Sequence, residues 1–260
     1  MTRLYLSLFF FMIFINNLLS SYPPNYEDAL KLFQKKEYEA SLYKIREVFD
    51  SYRNSLEFRL LAASNYLELK DYKNALAHLK YASIDHPNSV EVMILFADVY
   101  NQMGQWNQAL QALEKAMSLA KQDKTKEKHL RYYYAKTFYY SKNYERAKKI
   151  TEALIAEDSN FLEALYLDAL IYLAKKNFEL AEFRFRTILS HSKIEKDLAR
   201  SIYNNLGYIQ EVYAQNQPKN SKEKNSFLRE AKRYYELALQ IQNDYSIAQD
   251  NLARLTRDEK

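Results

Sequence analysis

Side chains able to do chemistry are few in this sequence, and they are scattered. The four histidines are His78, His86, His129 and His191. None belongs to an HExxH pattern or to any paired ligand spacing. There is no cysteine, which excludes disulfides, thiol catalysis and thiolate metal sites. Gly104 and Gly207 are the two glycines. A phosphate-cradling GxGxxG or GxxxxGK[ST] loop, or a GxSxG nucleophile turn, cannot be built from them. The acidic residues are expected at solvent-facing helix positions and suggest no general acid–base pair. The reading is of a protein that is not an enzyme, with no catalytic residue, no metal and no cofactor.

Charge is the next candidate for function. Net charge is +5, with both signs interspersed along the chain, which describes a solvated helical surface. Two segments are richer in base. One is KQDKTKEKHLR at 121–131; the other carries Lys219, Lys222, Lys224, Arg229, Lys232 and Arg233. Asp123, Glu127, Glu223 and Glu230 dilute them. Both are expected to be solvated loops. The alternative is contact with anionic lipid headgroups or an acidic partner. No nucleic acid is expected, because no basic groove interleaved with aromatics is present.

The elements that would carry these residues are helices. Two glycines and four prolines are too few for a protein of many tight β-turns. Apolar and charged residues are both abundant, as amphipathic helices require. Residues 90–119 show the pattern well: two helical stretches with a Gly104-Gln105-Trp106 break between them. The same unit recurs at a spacing of about 34 residues. An aromatic residue follows each turn: Tyr38, Tyr72, Trp106, Tyr144 and Phe178. A small residue lies three positions later: Ser41, Ala75, Ala109, Ala147 and Ala181. Before each turn, a small residue (Ala29, Ala63, Ala97, Ala135, Ala169) is followed three positions on by a bulky one (Leu32, Tyr66, Tyr100, Phe138, Tyr172). Small residues let two helices approach, and bulky ones fill the adjoining layer.

This spacing resembles the tetratricopeptide repeat, W-x2-L-G-x2-Y, then A-x3-F, then P, in about 34 residues. Pro87 fits the closing proline, and Gly207 in YNNLGYI supplies the glycine of the pattern once. The resemblance implies an all-α fold, an α-solenoid wound as a right-handed superhelix. About six helix pairs are expected, at 24–54, 55–88, 89–122, 127–160, 161–194 and 200–242. About four extra residues enter near 121–128, and a longer insertion near 214–226. A helix at 245–256 has no partner and reads as the C-terminal cap.

In this family the first helix of each pair lines a concave face, where members bind a peptide or another protein. Carried over by register, the groove positions here are Leu60, Ile94, Asp98, Tyr132, Lys136, Tyr139, Tyr166, Leu170, Asn204 and Tyr208. Ser64, Asn101, Leu173 and Glu211 fall at the same register. One subgroup grips a terminal carboxylate with lysines and asparagines in the groove. Tyr26, Leu30, Leu60 and Ile94 stand where several of those would lie, so that clamp is not expected. Tyrosines give large contact area together with a hydroxyl, and the surface is richest around RYYYAKTFYY at 131–140.

Residues 1–21 have the pattern of an export signal: Arg3, an apolar run from Leu4 to Ile15, then Leu18-Leu19-Ser20-Ser21. The run is short for a membrane span and Asn16-Asn17 interrupt it. An uncleaved anchor is the other reading. Residues 22–260 would then be the repeat domain, periplasmic or otherwise associated with a cell envelope. Its expected partner is a protein or peptide, with contact to a membrane surface as a further possibility.

Overall fold

The computed structural model describes residues 24–121, 123–219 and 221–258. The expected signal at 1–21 lies outside them. Among the described residues there are helices and no strand. The chain divides into two compact units, one ending at Leu154 and one beginning at Ile155.

The first unit holds α1 (Pro24–Gln34), α2 (Tyr38–Glu47), the single turn α3 (Phe49–Tyr52), α4 (Leu56–Glu68) and α5 (Tyr72–Asp85). It continues with α6 (Val90–Gln102), α7 (Trp106–Leu119) and α8 (Lys124–Tyr140), and α9 (Tyr144–Glu157) runs to its boundary. Here α1 packs on α2, α4 on α5 and α6 on α7, while α4 and α6 also touch, as do α6 and α8. The second unit holds α10 (Leu162–Ala174), α11 (Phe178–Leu189), α12 (Lys196–Gln215), α13 (Lys222–Ile241) and α14 (Ser246–Asp258). In it α10 packs on α11 and α12 on α13, with α14 laid against α13.

One turn is used five times. The second helices α2, α5, α7, α9 and α11 start on the aromatic residues Tyr38, Tyr72, Trp106, Tyr144 and Phe178. Two residues before each aromatic the backbone is left-handed: Lys36, Lys70, Gly104, Lys142 and Lys176 all have φ between 60° and 75°. The next N–H then reaches back five residues to a carbonyl of the preceding helix. The bonds are Glu37 to Leu32, Asp71 to Tyr66, Gln105 to Tyr100, Asn143 to Phe138 and Asn177 to Tyr172, at 2.8–2.9 Å. This is the Schellman closure, which satisfies helix-end carbonyls that would otherwise be orphaned. Asp71, Asn143 and Asn177 then accept from the backbone N–H three residues on and start the next helix. Each hairpin thus stops one helix and starts the other within four residues.

The two helices of a pair bury different amounts of themselves. In α5, α7, α9 and α11 the fully buried residues form a single stripe of three: Ala75, Leu79, Ala82; Ala109, Leu113, Ala116; Ala147, Thr151, Leu154; Ala181, Phe185, Ile188. That spacing is one face of an amphipathic helix. By contrast α4 buries residues 58–65 without a gap, and α10 buries 164–172. First helices are enclosed on nearly every side.

Both insertions differ from expectation. Residues 124–131 are helix and not loop: Asp123 caps α8 by accepting from the N–H groups of Thr125 and Lys126, and that helix is 17 residues long. Lys126 reaches Glu91 of α6 at 3.3 Å. On either side of the second insertion, α12 runs on to Gln215 and α13, capped by Ser221, starts at Lys222, each helix 20 residues long. A longer helix satisfies the backbone of inserted residues internally, which an open loop cannot do.

Candidate functional site

The first helices set the expected binding face. Among the ten candidates, Leu60, Asp98, Tyr132, Lys136, Tyr166, Leu170 and Asn204 are buried. Ile94 and Tyr139 are partly buried, and Tyr208 is 44% exposed. Accessible surface at this register is therefore concentrated in Ile94 and Tyr139 in the first unit and Leu173 and Tyr208 in the second.

Two charged candidates meet each other. Asp98 on α6 and Lys136 on α8 occupy equivalent positions of neighbouring pairs, and Lys136 Nζ lies 2.7 Å from Asp98 Oδ1. Their side chains are 5% and 2% exposed. The Tyr133 ring lies 5.2 Å from the ammonium and adds a cation–π contact. One turn further on, Asn101 Nδ2 donates to Thr137 Oγ1 at 2.9 Å across the same two helices. An earlier rung joins α4 to α2: Asn65 donates to Ser41 Oγ at 3.0 Å, and Ser41 donates to the Ala29 carbonyl at 2.8 Å. These rungs fix how one pair seats on the next, because a buried polar group needs its partner in place.

Tyr139 stands in an aromatic cluster with Tyr140 and Tyr144, with ring centroids 5.9 and 5.8 Å apart. Burial pushes its phenol up to about 12, so it stays a neutral donor. Tyr140 stacks on Trp106 at 6.4 Å. The single tryptophan thus serves packing.

In the second unit, Tyr166 packs on Phe185 at 5.8 Å and its hydroxyl receives Asn205 Nδ2 at 3.4 Å. Asp168 is held by Arg184 at 2.8 Å. Tyr208 meets Phe178 edge-on at 6.4 Å, and its remaining surface is open. Asn204 accepts from Asn251 of α14 at 3.0 Å. Glu211 receives Arg254 of α14 at 2.9 Å and the hydroxyl of Tyr235 from α13. The C-terminal helix therefore closes over the register of α12 with polar contacts.

The expectation that acidic residues face solvent fails at three places. Asp98, Asp168 and Glu211 are buried, each against a basic partner. Ser41, expected only as a small packing residue, also carries a rung, and Asn65 and Thr137 carry rungs that no spacing indicated. A clue was available for one pair: Asp98 and Lys136 have opposite charge at equivalent register positions of adjacent repeats. Among the described residues no group of three or more His, Asp or Glu is placed to hold a metal ion.

Comparisons with known proteins agree with this geometry. The tetratricopeptide-repeat family model matches residues 66–126. The fold is similar to the crystal structure of a tetratricopeptide-repeat protein from Parabacteroides merdae, at 15% identity over 95% of this chain and 90% of that one, TM-score 0.72. It is also similar to a thermophilic protein of the same kind in Thermus thermophilus, at 16% identity over 70% and 97%, TM-score 0.60. A third similar structure is the Cut9–Hcn1 hetero-tetramer of the APC/C, at 14% identity over 87% and 48%, TM-score 0.59. None of the curated proteins matches the chain. Residues 66–126 thus match the tetratricopeptide repeat, and the chain has the helix-pair fold of an α-solenoid.

Proposed function

We propose that the chain is an exported, non-enzymatic scaffold that holds a protein or peptide against the exposed part of its first-helix register, as an assembly or adaptor subunit of a cell envelope. The observation carrying this reading is the recurrent helix pair, whose first helices keep apolar and aromatic surface at Ile94, Tyr139 and Tyr208. Such residues anchor interfaces because they offer area at low entropic cost. The structural similarity to Cut9–Hcn1, itself an assembly of two kinds of subunit, is in keeping with that use of the fold. Export rests on the signal pattern of residues 1–21.

The test is crosslinking in the native cell with identification of the captured partner, followed by binding measurements on a combined Ile94→Ala, Tyr139→Ala and Tyr208→Ala variant. Loss of binding with helicity retained is expected. Unchanged affinity of the folded variant sinks the groove assignment. A second reading, a protein anchored at the envelope surface, is favoured by the apolar run from Leu4 to Ile15. Fractionation separates the two: a mature chain beginning near Ser21 and recovered without membranes removes the anchor.

A further inference from the structure

In the first unit a cavity of about 550 Å³ is lined by none of the groove positions. It lies where α3 and the connection to α4 meet α5, and Phe49, Arg53, Arg59, His78, Tyr81 and Asp85 are among its lining residues. The volume is in the range of small-ligand sites.

Arg59 is its unusual member. The residue is only 7% exposed. The equivalent positions of later pairs hold Met93, Arg131 and Leu165, so this slot takes either an apolar side chain or a guanidinium. The rings of Phe49 and Tyr81 lie 4.9 and 4.8 Å from its guanidinium carbon. Its Nε donates to the Arg53 carbonyl at 2.5 Å. No ion pair ties Asp85 or any other described carboxylate to it. What remains is the outer edge, two amino nitrogens side by side, the fork that matches a planar carboxylate.

The rest of the wall sets the charge. Arg53 and Arg59 face one carboxylate, Asp85, leaving a surplus of one positive charge. His78 adds none near neutral pH: burial, and then the charge of Arg59, lower its pKa to about 4. Its Nδ1 is buried and without a partner among the described residues. The wall is steadied by His86, whose Nε2–H donates to the Asn54 carbonyl at 2.8 Å. A surplus of one charge suits a monoanion better than a phosphate dianion. The flanking rings suit an apolar body attached to it.

We propose that this cavity binds a carboxylate carried on an apolar body, gripped end-on by Arg59 between Phe49 and Tyr81. The site is distinct from the first-helix face, and neither stands or falls with the other. The ligand is a small organic acid or an acidic side chain of a peptide, and both present the same group to the fork.

The test is calorimetric titration of the full chain with benzoate, with neutral benzamide, with inorganic phosphate, and with a blocked tripeptide centred on Glu or on Gln. Binding of benzoate, or of the Glu peptide alone, is expected, with benzamide and the Gln peptide at least tenfold weaker. The first result assigns a small acid and the second a peptide side chain. Arg59→Met places in the slot the residue its neighbour already uses, so the fold is expected to survive, as checked by circular dichroism. Affinity should fall about tenfold or more, whereas Asp85→Asn should raise it several-fold by removing the competing charge. No binding of either carboxylate, tighter binding of phosphate, or equal affinity in folded Arg59→Met overturns the proposal.

Discussion

Two buried carboxylates on first helices meet their cations in opposite ways. Asp98 and Lys136 are sealed together, with the ammonium 2% exposed. Glu211 is as deeply buried, but its partner Arg254 is 47% exposed and a second donor, the Tyr235 hydroxyl, sits beside it. The first arrangement lies between two successive helix pairs of the first unit. The second lies under α14. The interior pair keeps its geometry only while both charges are present. The terminal site keeps one neutral donor when its cation leaves. Enclosure, more than the number of contacts, decides what each is worth.

The largest expected effect tests the sealed pair. Lys136→Met leaves Asp98 charged and buried with no counter-ion, and should cost about 3–5 kcal/mol in chemical unfolding. Replacing both, as Asp98→Leu with Lys136→Met, should recover most of that loss. If the single variant unfolds no more easily than the parent, the enclosure argument for this pair is wrong.

Next in size is Gly207→Ala, which perturbs the terminal site from below. A Cβ at residue 207 would lie 2.6 Å from the ring of Tyr235, so either the ring or α12 must move. Displacing the ring also pulls its hydroxyl from Glu211. A loss of about 2–3 kcal/mol is expected from overpacking, read as a lower denaturation midpoint. An unchanged midpoint would mean that the tyrosine has room to yield.

These contrasts mark what could be read from the residues alone. The hairpins were legible: the aromatic residues that start α2, α5, α7, α9 and α11 are local signals, and each turn is closed by its own backbone. The left-handed lysines were not, because Lys36, Lys70, Lys142 and Lys176 do what glycine does more readily, and composition hides them. Gly207 was legible as a family feature, but its cause was not; the reason is the Tyr235 ring, 28 residues away and brought close only by folding. The insertions were misjudged because polarity is shared by exposed helix and by loop, and only the neighbouring helix separates the two. Arg59 was passed over for a similar reason. Its register takes Met93, Arg131 and Leu165 in other pairs, so spacing alone does not say whether it packs or faces solvent; the structure sets its guanidinium beside two rings at the wall of a cavity.

Arg254→Ala is the milder counterpart of Lys136→Met. Glu211 keeps the Tyr235 hydroxyl, and solvent reaches the vacated side, so the loss should be about 1–2 kcal/mol. A cost equal to that of Lys136→Met would erase the distinction between the two sites.

The smallest effect is a response to base at the terminal site. Burial first, then the hydrogen bond from Tyr235 to Glu211 and the charge of Glu211, raise the Tyr235 phenol above its ordinary value, while Arg254 opposes the shift. A raised acid stays neutral in the folded chain after its unfolded counterpart has begun to ionise near pH 10. Its contribution is therefore complete below about pH 10 and is lost as pH rises further. Melting temperatures of the parent should fall across that range more steeply than those of Tyr235→Phe, which has no proton there to lose. The sealed pair gives the control: Lys136→Met combined with Asp98→Leu should leave this part of the alkaline slope intact, because neither residue touches Tyr235. Parallel slopes for the parent and Tyr235→Phe would show that the hydroxyl is not held neutral by Glu211, and the terminal site would then rest on Arg254 alone.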